Sequence, residues 1–171
     1  MTTRIDPPLT GLNEREMLRV WLEYHRETLV WKCDGLSPEQ LAERSVPPSS
    51  MSLLGLVRHM TEVERNWFLR ILAGETAPPL YYSDDDPDGD FDTIDPSKFD
   101  DEMAMFYETL ERCREAEAAV GSLDENGAVE ASHNRGRVSL RWIMIHMIEE
   151  YARHNGHADL LRERIDGATG D

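Results

Sequence analysis

Glu150 and His154 stand four residues apart in the middle of an otherwise apolar row. At about 100° per residue, Ile143, Met147, Glu150, His154, Ala158 and Leu161 share one helical stripe, with His146 and His157 at its edge. A carboxylate on such a face needs a partner, because burying it unpaired costs several kcal/mol. The i, i+4 spacing lets both side chains reach one ion. One helix cannot close a metal site, so a further ligand must come from a facing helix. His59, placed between Leu56 and Val63 on another apolar face, is the natural donor. Two imidazoles and one carboxylate suit a divalent ion such as zinc, and three protein ligands leave a coordination position for water or substrate. The same spacing also serves a buried hydrogen-bonded pair or a flanking salt bridge, so spacing alone leaves both readings open. His146 and His157 fit supporting or packing roles better than ligation, and His25 and His133 fit surface or loop positions.

Four long helical patterns must position these residues. The first covers about 12–34, with Leu18, Trp21, Leu22, Leu29 and Val30 as its apolar face and Asn13 with Glu16 as a capping box. Ser37-Pro38-Glu39-Gln40 announces a short helix, and Pro47-Pro48 breaks the chain. The second long helix covers about 53–73, the third 99–120 and the fourth 139–166, where Ser139 is the cap and Gly167 the stop. No β-type alternation and no internal repeat interrupt them. The expectation is an all-α four-helix bundle with long connecting loops, forming a single domain over 1–171.

Composition narrows the partners. A net charge of -16 on 171 residues argues against phosphate-rich partners, whose binding is driven by Lys and Arg, and disfavours anionic membrane surfaces. Residues 1–10 are polar and proline-containing rather than signal-like, and no apolar run approaches the ~18 residues of a membrane span. Cys33 and Cys113 lie far apart and read as reduced thiols on helices, so the expected location is cytoplasmic. The apolar and aromatic positions exceed what one small core requires, which points to a homodimer through helix faces.

Two loops carry weaker signals. Asp84 to Asp95 imitates a calcium-binding loop, with oxygen donors at positions 1, 3, 5, 9 and 12 and Gly89 at 6. Position 12 is Asp rather than a bidentate Glu, and Pro78-Pro79 leaves little room for a preceding helix, so a solvated acidic connection is expected. His133, Arg135 and Arg137 precede the fourth helix; the arginines could hold a carboxylate, but they fit solubilising charges better. Trp21, Trp31, Trp67 and Trp142 read as core or interface packing. No nucleophilic serine motif, phosphate loop or cofactor fingerprint is present.

The segment Leu140–Gly167, LRWIMIHMIEEYARHNGHADLLRERIDG, resembles the last helix of the DinB-like superfamily, in its actinobacterial branch. Gly35–Gly74, GLSPEQLAERSVPPSSMSLLGLVRHMTEVERNWFLRILAG, resembles the second-helix region of the same group. The resemblance implies a four-helix bundle with a central metal. Many superfamily members use three histidines; Glu150, four before His154, departs from that pattern and is similar to the mycothiol-dependent branch of S-transferases and a maleylpyruvate isomerase, which uses His, Glu and His. Carried over by position, the ligands are His59, Glu150 and His154. The isomerase has a further C-terminal domain not found in these residues, which turns the expectation towards S-transfer. The resemblance then implies a low-molecular-weight thiol, mycothiol, as co-substrate and a small electrophile as its target. The alternatives are a metal-dependent hydrolase and a non-catalytic, metal-binding or stress-related bundle.

Overall fold

The computed structural model describes residues 4–131 and 136–170, so His133 and Arg135 lie outside the described residues. The chain is an all-α bundle, and no strand occurs among the described residues. Its long helices are α1 (Glu14–Cys33), α3 (Leu53–Glu64, continued by a π-helical stretch Arg65–Leu72), α5 (Phe99–Ala119) and α6 (Leu140–Asp166). Short helices α2 (Pro38–Leu41) and α4 (Gly89–Asp92) lie in the connections.

Local chemistry sets the starts and stops. Asn13 and Glu16 form a reciprocal capping box on α1, as Ser37 and Gln40 do on α2. Ser139 accepts from the Trp142 amide at the start of α6, and Gly167 ends that helix in the left-handed conformation. The π-helical stretch is a departure from the regular helix that the spacing of Val63, Trp67 and Ile71 predicts. Its buried residues are Arg65, Phe68, Leu69, Ile71 and Leu72, carried on a turn wider than that of an α-helix.

α1 packs on α6 and α3 on α5, and α3 also touches α6. All four long helices meet at Glu64, which is fully buried. Its carboxylate takes two hydrogen bonds from Arg26 of α1, both 2.7 Å, and one of 2.9 Å from the Tyr151 hydroxyl of α6. The Cys113 thiol of α5 donates to the Glu64 carbonyl at 3.6 Å. A carboxylate with three charge-assisted or hydroxyl donors is satisfied despite its burial. Around it pack Leu22, Leu29, Met60, Phe68, Phe106 and Met147. None of the four tryptophans is buried in this core; Trp21 and Trp142 are 41% and 38% exposed.

Candidate metal centre

The centre forms where α3 faces α6. On α6 the buried row is Ile143, Met147, Tyr151, His154, Ala158 and Leu161. Tyr151, rather than Glu150, holds the middle of the stripe; Glu150 sits beside it, half-buried, and turns towards a cavity. The i, i+4 step brings its Oε2 to 3.6 Å from Nε2 of His154. His59, half-buried on α3, lays its ring 4.7 Å from that of His154. His154 thus has the Glu150 carboxylate on one side and the His59 ring on the other.

The second nitrogen of each ring is spoken for. Nδ1 of His154 lies 3.4 Å from Nδ1 of His157, so Nε2 is the atom turned towards Glu150. Nδ1 of His59 lies 2.7 Å from Oδ2 of Asp90. Burial of His154, together with neighbouring His59, His157 and Arg153, pushes its pKa down from 6.5 to about 4. The ring is thus neutral at physiological pH and offers a lone pair, the form a metal requires.

Asp90 corrects the expectation of a wholly solvated acidic loop. Asp84, Asp85, Asp88, Asp92 and Asp95 are exposed, whereas Asp90 is 6% exposed and folded inward by α4. His25 also differs from a simple surface residue: it is half-buried on α1, and burial lowers its pKa.

His146 flanks the centre. Its ring stacks on Trp142 with centroids 4.8 Å apart and meets Trp67 edge-on at 4.7 Å. Its nitrogens lie 3.3 Å from Glu149 Oε2 and 3.3 Å from Glu150 Oε1. Among the described residues, the group of three whose ligand atoms all lie within 4.8 Å of one another is His146, Glu149 and Glu150, so the Glu150 carboxylate faces His146 as well as His154. Glu149 is exposed and paired with Arg153.

The donor chemistry of His59, Glu150 and His154 fits a divalent ion. Two ligands at zinc distances around a tetrahedral centre stand ~3.4 Å apart. The separation of 3.6 Å between Glu150 and His154 is close to that value. The adjoining cavity holds about 410 Å³, with His59, His146 and Glu150 among its lining and Trp67, Tyr82 and Phe91 as aromatic walls. A larger cavity of about 590 Å³ lies against α1 and α5 and contains no histidine. Its charged lining is already paired, Arg26 and Arg114 with Glu23 and Arg19 with Glu117.

Residues 17–167 match the family model for mycothiol-S-transferase. The chain belongs to the mycothiol-S-transferase family. The match runs from the first turn of α1 to the stop of α6 and so includes every residue of the centre. No curated protein matches the sequence. In this family member the two buried cysteines are not candidate nucleophiles. Burial pushes Cys33 up to about 12 and raises Cys113 further, and the thiolate is the reactive form of sulfur.

The periodicity of the sequence does not show Asp90, the Glu64 knot or the stacking of His146 between two tryptophans. The knot alone had a local signal, because Arg26 and Glu64 interrupt apolar rows as Glu150 and His154 do.

Proposed function

We propose that this chain is a divalent-metal-dependent S-transferase that joins mycothiol to a small electrophile, with His59, Glu150 and His154 holding the ion, zinc by donor chemistry. The observation that carries the reading is the meeting of two imidazoles and a carboxylate beside an aromatic-walled cavity in a member of this family. Bound there, the ion would stabilise a coordinating thiol as its thiolate.

The chain's own residues supply the rest. His154 stays neutral and keeps its lone pair, and Glu150 contributes the negative charge that offsets the ion. Trp67, Tyr82 and Phe91 give the apolar body of an electrophile a surface and limit water at the reacting atoms. In the transfer, the sulfur forms a bond to the electrophilic carbon. The leaving group departs with its electron pair, and the thiol proton passes to solvent. Neither Cys33 nor Cys113 takes part.

The test is a panel of electrophiles offered to zinc-loaded protein with and without mycothiol. The expected result is consumption that requires metal and thiol together and is lost in Glu150→Gln while the fold is kept. Hydrolysis of esters or amides without thiol would install the hydrolase reading instead, and neither activity would leave a non-catalytic bundle.

We place the protein in the cytoplasm; no helix among the described residues is long and apolar enough to cross a membrane. We also propose pairing of two copies through helix faces, supported by the exposed Trp21 on α1 and Ile145 and Leu160 on α6. A concentration-independent monomer in light scattering would reject it.

A further inference from the structure

α4 is one turn long, yet it is fastened to α3 at three points. Arg58, the residue before His59, is buried and donates to the Gly89 carbonyl at 2.8 Å and the Thr93 carbonyl at 2.9 Å, bracketing the turn. Its guanidinium lies 4.4 Å over the Tyr81 ring and 3.4 Å from Glu102, whose other oxygen accepts from the Tyr81 hydroxyl. Phe91 is seated on Gly55 in the first turn of α3, where an added Cβ would stand 2.8 Å from the Phe91 ring. The absence of a side chain at Gly55 permits that close approach. On the other side, an added Cβ at Gly89 would stand 2.2 Å from the Tyr81 carbonyl oxygen, so the turn is also held tightly from outside.

The third point is Asp90 itself. Of the acidic run it is the one buried member, and its Oδ2 lies 2.7 Å from His59 Nδ1. A carboxylate only accepts, so Nδ1 carries the hydrogen, and in the neutral ring that leaves the lone pair on Nε2. The ring so fixed is the one that stands 4.7 Å from His154 and packs 5.3 Å from Phe91 on its other contact. A free histidine side chain in water favours the opposite tautomer, which would point an N–H at an incoming cation.

We propose that Asp90 is a positioning residue of the metal centre. Held by Arg58 and the Gly55–Phe91 contact, it sets the tautomer and ring orientation of His59, so the acidic connection after α3 is a working part of the site. This inference rests on the reading of His59 as a ligand. Outer hydrogen-bond partners of metal-binding histidines raise ligand basicity and fix orientation, and losing one costs about 10–100-fold in metal affinity.

The experiment measures zinc affinity by competition with a chromophoric chelator for wild type, Asp90→Ala, Asp90→Asn and Asp85→Asn, all as the full chain. Long-range nitrogen–proton NMR reads the His59 tautomer in the same proteins without metal. Asp90→Ala is expected to lose affinity by about 10–100-fold and to shift His59 towards the Nε2–H tautomer. Asp90→Asn keeps an oxygen acceptor, so it should retain the Nδ1–H tautomer and lose less affinity. Asp85→Asn removes an exposed charge of the same run and should bind as wild type does. An unchanged tautomer in Asp90→Ala would overturn the proposal whatever happens to affinity, and so would unchanged affinity in a wild type that binds zinc. Equal losses in Asp85→Asn and Asp90→Ala would also overturn it, leaving only bulk electrostatics. A wild type that binds no zinc would overturn the ligand reading first and this inference with it. Asp90→Val, close to Asp in volume and without an acceptor, makes the same tautomer and affinity comparison where Asp90→Ala fails to fold.

Discussion

Replacing Glu64 by alanine removes the one group that all four long helices share. Arg26 is 3% exposed and Glu64 fully buried, so the variant leaves the guanidinium with two donors unanswered and only the half-exposed Glu23 as a partner. Breaking a buried pair by removing one partner costs about 3–5 kcal/mol, and the stranded Tyr151 hydroxyl falls within that figure rather than adding fully to it. Against a total stability of ~5–15 kcal/mol this is a large share. For a chain of this size each kcal/mol moves the melting temperature by about 2–4 °C, so the expected drop is roughly 6–20 °C. Urea unfolding followed by far-ultraviolet circular dichroism would measure it. Glu75→Gln is the control, because Glu75 and Arg112 also pair at 2.5 Å but with both side chains about two-fifths exposed. Such a pair is worth less than about 1 kcal/mol. The double variant Arg26→Met, Glu64→Leu should recover most of the loss, since it removes the stranded charge together with its partner. A loss below about 1 kcal/mol for Glu64→Ala, or a double variant as unstable as the single, would refute the reasoning.

Two further outcomes bear on the metal centre. The purified protein should carry one divalent ion per chain, His154→Ala should lose it and His146→Ala should keep most of it; elemental analysis finding wild type and His154→Ala equally loaded would discard the ligand set. In the metal-free protein, His154 should make stability fall with acid. Its folded pKa of about 4 lies below the unfolded 6.5, so between those values the unfolded chain binds the extra proton, and stability rises with pH across that window and levels off above it. Urea midpoints from pH 4 to 7 that ran parallel in wild type and His154→Gln would contradict this.

The sequence is most legible where the physics is local. The Asn13–Glu16 box, the Ser139 cap and the Gly167 stop are all written within a few residues, and all are present. The α6 stripe was legible to within one position: the wheel reads Glu150 as central, whereas Tyr151 takes that place and frees Glu150 to face the cavity. What sequence could not carry is pairing at distance. Arg26 and Glu64 are 38 residues apart, and His59 and Asp90 are 31 apart. Nothing in a run of aspartates marks the one that turns inward. Its neighbours Gly89 and Phe91 are the only local hint, and their meaning depends on Gly55 of a different element.

On the proposed S-transfer, thiolate and electrophile meet in one cavity of the protein. Any reactive sulfur of its own would be alkylated by its own substrates. Cys33 and Cys113 are covered by the bundle, 4% and 0% exposed, and burial holds both as thiols far above physiological pH. Neither lines the aromatic-walled cavity. The folded protein is therefore immune to self-inactivation by this route, and its cysteines become targets only on unfolding. Alkylating reagents would accordingly report on the integrity of the bundle rather than on the chemistry of the site.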